Sequence, residues 1–218
     1  RSSDLQFILD TAANYLTRPP KRSDVLSVFA GLRPLAAPRS EGKKTKEISR
    51  SHKLIREKSG LITIIGGKWT TYRKMAQDTL DLAIRYMHIP TKDCITERYQ
   101  IHGSRKNPDF SDPLYVYGTD ADEIRNLVAS SPAMAEKLHP DYAYTVGEVT
   151  WLVRNEMPRT LEDVLARRLR ILFLDARAAM AMAPKVAGIL ATEWGKDETW
   201  TSAQVKAFNE VASNYILN

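Results

Sequence analysis

The run Leu61-Ile62-Thr63-Ile64-Ile65-Gly66-Gly67-Lys68-Trp69-Thr70-Thr71-Tyr72-Arg73 sets two glycines, a lysine and two hydroxyls directly after a β-branched segment. A strand, a glycine turn and a helix start in that order can hold an anion. Glycine lets the backbone approach a ligand closely, and the first helical turn leaves amide groups without intrahelical partners. Its dipole adds about 0.3–1 kcal/mol when exposed. The pattern is not a P-loop, which needs a glycine and spacer ahead of the lysine. Nor is it the G-x-G-x-x-G dinucleotide fingerprint, which occurs nowhere in the chain. An ordinary strand-to-helix turn accounts for the same spacing. Two arginines add to the signal: Arg33 in Gly-Leu-Arg-Pro-Leu and Arg50 in Ile-Ser-Arg-Ser-His. Near the end of an extended segment, a guanidinium can fork around a phosphate or carboxylate, although solvated surface arginines are the commoner case.

The remaining composition narrows the chemistry. With 218 residues, 43% of them hydrophobic, the chain can bury a core, and its net charge of +6 favours anionic partners: phosphorylated metabolites, anionic lipid headgroups or nucleic acid. One cysteine, Cys94, rules out an intrachain disulfide and cysteine-based zinc sites, and the four histidines lack metal-ligand spacing, so no metal site is expected. No apolar run reaches the length of a membrane span, and the opening Arg1-Ser2-Ser3-Asp4 carries no signal-peptide pattern and no initiator Met, which reads as a piece of a longer protein.

Periodicity supplies the elements that must position these residues. Leu5, Ile8, Leu9, Ala12, Tyr15 and Leu16 predict a first helix, with Ser3 or Asp4 as its cap. The apolar run Val25 to Ala30 predicts a strand ending in a functional loop, followed by a polar connection from Pro38 to Lys46. Ile48 to Arg56 reads as extended, Leu61 to Ile65 as a buried strand, and Trp69 to about His88 as a helix. Beyond Pro108 strand-like runs nearly vanish. Thr119 with Asp122, Thr145 with Glu148, and Thr160 with Asp163 resemble capping boxes. Leu161 to Met180 reads as one central helix, Pro184 as the first-turn residue of the next, and about Ser202 to Leu217 as the last. The fold class is therefore α+β in the N-terminal part followed by an all-helical C-terminal domain, with domains at 1–105 and 106–218.

Taken in order, Val-Phe-Ala-Gly-Leu-Arg-Pro-Leu at 28–35, Ile-Ser-Arg at 48–50 and Ile-Gly-Gly-Lys-Trp-Thr-Thr-Tyr-Arg at 65–73 resemble the C-terminal half of FAD-dependent glycerol-3-phosphate dehydrogenases. These belong to the D-amino-acid oxidase-like flavoproteins. Glu-Val-Thr-Trp-Leu-Val-Arg-Asn-Glu at 148–156, Arg-Thr-Leu-Glu-Asp-Val-Leu-Ala-Arg-Arg at 159–168 and Leu-Phe-Leu-Asp-Ala-Arg-Ala-Ala at 172–179 resemble their helical C-terminal domain. The resemblance implies that Arg33, Arg50 and Lys68 bind glycerol 3-phosphate. It also implies that Gly66, Gly67, Lys68, Trp69, Thr70 and Thr71 lie along the pyrimidine side of the flavin; Trp69 departs from the smaller residue expected there. It assigns no catalytic base. In such enzymes an N-terminal segment supplies the pyrophosphate loop, so weak or no FAD binding is expected of this chain by itself.

For the full-length protein the resemblance implies oxidation of sn-glycerol 3-phosphate to dihydroxyacetone phosphate, with electrons passed through FAD to a quinone. It also implies a cytoplasmic enzyme peripheral to an anionic membrane surface and a homodimer; no nucleic-acid partner is expected, because no motif places aromatic and basic residues together. A different reading rests on Arg154, Arg159, Arg167, Arg168 and Arg170: a helical module whose basic face meets a protein partner or a membrane surface.

Overall fold

The structure, a computed structural model, describes residues 2–32 and 51–217. They divide into two compact units, a helical one of residues 2–29 with 102–217 and a smaller one whose described residues are 30–32 and 51–101. The architecture is a small α+β part followed by a helical domain, as the change of periodicity near Pro108 predicts.

In the smaller unit, strands β1 (Lys53–Arg56) and β2 (Ile62–Ile65) pair antiparallel, with Lys53 opposite Ile65 and Arg56 opposite Ile62. The connecting turn is closed by the Glu57 amide on the Leu61 carbonyl at 2.9 Å. After a short 3-10 turn at Trp69–Thr71, helix α2 (Tyr72–Met87) packs on β2 and ends where His88 adopts a left-handed φ of 54°. Arg56 stacks 3.4 Å over the Tyr86 ring and so ties β1 to the last turn of α2. The sequence pattern predicts a buried strand at 61–65, but β2 is only half-buried throughout, and α2 buries no residue fully. Two strands and one helix cover a single face of each other, too little to close a core.

The helical unit opens with α1 (Ser2–Ala13), which begins ahead of Ser3 and Asp4, so neither residue caps it as expected. It continues through α3 (Ala121–Ala129), the short α4 (Pro132–Ala135), α5 (Val146–Asn155), the short α6 (Ile171–Leu174), α7 (Ala176–Trp194) and α8 (Glu198–Ala212). Helix α7 is the centre, packed by α5, α6 and α8. Its buried face is alanine-rich, with Ala176, Ala179, Ala183 and Ala187, which lets neighbours approach closely. Leu152, Leu161, Leu165, Ile171, Leu190 and Phe208 fill the space between, each worth about 1.5–3 kcal/mol on burial.

Four expectations are corrected in this unit. Val25 to Ala30 forms no strand. It is an extended segment held by single bonds: Ser27 Oγ donates to the Leu172 carbonyl at 2.7 Å, the Val28 amide to Tyr215 O at 2.8 Å and the Ala176 amide to Leu26 O at 3.2 Å, while Phe29 meets Phe173 edge-on at 4.9 Å. Leu161 to Met180 is not one helix. A π-helical turn at Asp163–Arg168 is followed by Arg170 at a φ of 61°, and Asp175 then leaves helical geometry to accept the Ala178 amide and cap α7. Pro184 does not start a helix; it sits on an exposed position inside α7, where a missing amide is least costly because water can serve the freed carbonyl. The last helix also starts earlier than periodicity predicts, because Asp197 accepts the Trp200 amide and caps it.

The capping boxes fared unequally. Thr145 Oγ accepts the Glu148 amide, and Thr160 and Asp163 exchange reciprocal bonds at 3.0 and 3.2 Å. Asp120, not Thr119, occupies the N-cap of α3, and no side chain caps it. Gly118 supplies the turn just ahead of α3: its φ is +55°, and a Cβ there would lie 1.6 Å from the Gly103 carbonyl oxygen.

Candidate functional site

The strand-to-helix junction of the smaller unit is built from Ile65 to Tyr72. Gly66 and Gly67 turn the chain out of β2 with φ of 75° and 86°. At Gly67 a Cβ would also meet the Met75 sulfur at 2.5 Å, so the glycine answers both to conformation and to the helix packed beneath it. Lys68 is extended, and the Thr71 hydroxyl folds back on it, donating to the Lys68 carbonyl at 3.0 Å and accepting its amide at 3.3 Å. Thr71 thereby shapes the loop, and its hydroxyl is engaged within it.

These residues border a cleft of about 540 Å³, lined by Gly66, Gly67, Lys68, Trp69 and Thr70 with Tyr72 and Met75 from the helix. The Trp69 ring is 89% exposed and tilts against Tyr72 at 6.2 Å. Among the described residues, the Lys68 ammonium makes no ion pair, and the Trp69 and Thr70 amides make no hydrogen bond. Two free amides, a free cation and a glycine turn are donors without acceptors, the complement of a planar group with an anionic, oxygen-bearing edge. As far as this chain reaches, its residues fit the polar edge of a flavin.

Of the residues the sequence singles out, the structure brings together Gly66, Gly67, Lys68, Trp69, Thr70 and Thr71 on this junction. Arg33 and Arg50 lie outside the described residues. Arg73 turns away from the cleft: its guanidinium bonds Gln77 at 3.0 Å, Thr96 at 3.3 Å and Glu97 at 3.2 Å, pinning the segment after α2. Cys94 joins that cluster, and the Thr96 bonds beside it hold its thiol below the ordinary range. On the other side of the junction His52 and Lys74 both bond Asp78, at 3.0 and 2.6 Å, and the Lys74 bond keeps the carboxyl below its usual range. Among the described residues, no group of three or more His, Cys, Asp or Glu is placed to hold a metal.

The sequence reading missed a buried acid in the helical unit. Glu148 is 4% exposed on α5 and accepts the Tyr117 hydroxyl at 2.7 Å. Burial pushes its carboxyl up to about 7 against the lowering bonds from Tyr117 and the Thr145 backbone, and burial with the facing Glu148 charge raises Tyr117. The sign of it in sequence is a glutamate three residues after a capping threonine, which reads as a helix cap and gives no hint of burial. Three of the five arginines of the basic-face reading are engaged by neighbouring groups. Arg154 forks onto Glu193, Arg167 pairs with Glu162 and Asp163, and Arg168 bonds the Glu156 and Asp163 carbonyls.

Known proteins resemble this chain in sequence and in fold. Residues 61–201 match the family described as the C-terminal domain of alpha-glycerophosphate oxidase. A mitochondrial glycerol-3-phosphate dehydrogenase of Arabidopsis thaliana is 33% identical across 97% of this chain, and a probable one of Caenorhabditis elegans is 35% identical across 98%. The chain spans 40% and 32% of their respective lengths. The structure of a glycerol-3-phosphate dehydrogenase from Bacillus halodurans complexed with FAD shares the fold, with a TM-score of 0.72 at 24% identity, over 99% of this chain and 45% of that one. With more than half of its residues, the glycine junction and most of the helical unit among them, falling in that match, the chain belongs to the family of the C-terminal domain of alpha-glycerophosphate oxidase.

Proposed function

We propose that this chain is the C-terminal portion of a flavoenzyme that oxidises sn-glycerol 3-phosphate to dihydroxyacetone phosphate and passes the electrons through FAD to a quinone. The observation that carries the reading is the donor-bearing junction at Gly66 to Thr70, where Lys68 is unpaired among the described residues. The names of the relatives support the substrate, and the FAD bound by the Bacillus halodurans enzyme supports the cofactor. Residues 30 to about 105 would hold the flavin and substrate side and those from 106 the helical domain, with which residues 2–29 form one unit. Peripheral attachment to an anionic membrane surface suits the positive charge of the chain; among the described residues no helix is long and apolar enough to cross a membrane.

When bound, FAD would supply the hydride-accepting ring. The chain's own contribution is electrostatic and positional. Lys68 and the Trp69 and Thr70 amides would hold the pyrimidine edge, where negative charge grows on reduction, so their interaction strengthens toward the product side. Gly66 and Gly67 keep that edge open to backbone contact. Arg33 and Arg50 would bind the substrate phosphate and orient the reacting carbon with binding energy from a part of the molecule that does not react.

Steady-state kinetics of the full-length enzyme test the assignment. Losing one charge-assisted phosphate contact costs about 1.5–3 kcal/mol, or roughly ten- to a hundred-fold in kcat/KM for glycerol 3-phosphate. Arg33→Gln and Arg50→Gln should show that loss with little effect on glycerol itself, and Arg33→Lys should not restore it, because a lysine lacks the planar fork. Lys68→Ala should also shift the flavin absorption spectrum and potential. Wild-type kinetics in both arginine variants remove the substrate assignment; an unchanged flavin in Lys68→Ala removes the cofactor half.

A further inference from the structure

The helical unit carries a second cleft, of about 590 Å³, that the flavin chemistry leaves unused. Two indoles form one side: Trp194 in the last turn of α7 and Trp200 in the first turn of α8, edge to face at 5.7 Å and 79°. Val153 and Pro158, both buried, continue the apolar surface. At the mouth Met157 is 78% exposed and held at a φ of +47°, a conformation that costs a non-glycine residue about 1–3 kcal/mol and recurs at ligand clamps.

Two cations also line this cleft, Arg159 and Lys196. Neither side chain makes an ion pair or hydrogen bond among the described residues. The carboxylates on the adjoining segments are committed elsewhere. Glu193 takes the fork of Arg154 with both oxygens at 2.8 Å. Asp163 accepts the Arg159 and Thr160 amides at 2.9 and 3.0 Å and pairs with Arg167. Asp197 caps α8 at 2.8 Å, and Glu198 lines a different groove, between α7 and α8. The cleft therefore combines an aromatic wall with two positive charges that are unpaired among the described residues.

We propose that this cleft binds a small organic anion with a ring-sized apolar body: an aryl or alkyl carboxylate, sulfonate or phosphate. The body would lie against Trp194 and Trp200, and the acidic group would meet Arg159 and Lys196. Neither half suffices alone. A bare inorganic anion would find only exposed charges in high dielectric, and the C-terminal carbonyls of α7 beside Lys196 would oppose it. A neutral ring would bury apolar area but leave both cations unpaired. The volume lies within the range of small-molecule sites, which pair mostly apolar walls with a few convergent polar groups. The inference stands apart from the flavin reading and needs no flavin for its test.

The experiment uses the 218-residue chain, nitrogen-15 labelled, and follows the indole N–H signals of its four tryptophans, assigned by single Trp→Phe variants. Three probes are titrated: 8-anilinonaphthalene-1-sulfonate, the neutral N-phenyl-1-naphthylamine, and inorganic phosphate. The sulfonate should move the Trp194 and Trp200 signals saturably and leave Trp151 in place, while Trp69 reports the separate glycine junction. The neutral compound and phosphate should each bind at least roughly tenfold more weakly. Arg159→Gln with Lys196→Gln should reduce sulfonate affinity by roughly tenfold or more while binding of the neutral compound is unchanged. Both side chains are exposed, and an unmoved Trp151 signal in the double variant reports that the core is intact. Trp194 and Trp200 signals that do not respond to the sulfonate overturn the proposal. Equal affinity for charged and neutral probes in the wild-type chain overturns it as well, without reliance on any variant, and so does undiminished sulfonate binding by the double variant.

Discussion

Replacing Glu148 with Gln should change how the stability of the helical unit depends on pH, and the size of the change follows from the burial of one carboxyl. In the folded chain Glu148 rises from an ordinary 4.5 to about 7, with burial as the main cause. A raised carboxyl binds more protons folded than unfolded between those two values. Its contribution is fully present below about pH 4.5 and is lost as pH rises through about 7. A difference of that size corresponds to about 3 kcal/mol. Wild type should therefore lose about 3 kcal/mol relative to Glu148→Gln between about pH 5 and about pH 8, since the amide stays neutral throughout. The comparison between the two proteins removes groups common to both, such as Glu156, which burial also raises. Urea unfolding followed by tryptophan fluorescence measures it. A Trp69→Phe background makes the signal report the helical unit, because Trp151, Trp194 and Trp200 all lie there and Trp69 does not. Parallel pH profiles for the two proteins would refute the reasoning and mean that the folded Glu148 carboxyl titrates as it does in the unfolded chain.

Three further outcomes follow from the packing. Gly118→Ala should destabilise the helical unit by about 3 kcal/mol or more in the same urea assay, since the added Cβ would strike the Gly103 carbonyl, a backbone atom that cannot swing aside. Arg168→Met should cost about 2 kcal/mol or more, because its guanidinium serves the Glu156 carbonyl at 2.6 Å and the Asp163 carbonyl at 3.0 Å around the π-helical turn. Arg154→Met, which removes a half-exposed pair with Glu193, should cost about 1 kcal/mol or less by the same measurement.

The sequence alone determined those features whose physics is local. The glycine junction at 66–67 was legible because a β-branched run, two glycines and a helix start are consecutive in the chain and need no distant partner. The boxes at Thr145 and Thr160 were legible for the same reason, as was the end of α2 at His88. The ordered motifs also carried the family. Tertiary structure decided whatever depends on a partner far along the chain. Val25 to Ala30 reads as a strand by its apolar run, yet its bonds go to Leu172, Ala176 and Tyr215, and no ladder forms. One continuous apolar stripe from Leu161 to Met180 conceals two breaks, since periodicity records which face is buried and is blind to a left-handed Arg170 or to Asp175 choosing a cap over the helix. Within the basic cluster Arg154 and Arg167 are held by carboxylates from the fold, which charge in sequence says nothing of. Glu148 looked like a cap and became a buried acid for the converse reason: burial is a property of what packs around a residue, and only the assembled helices bring Tyr117 to it.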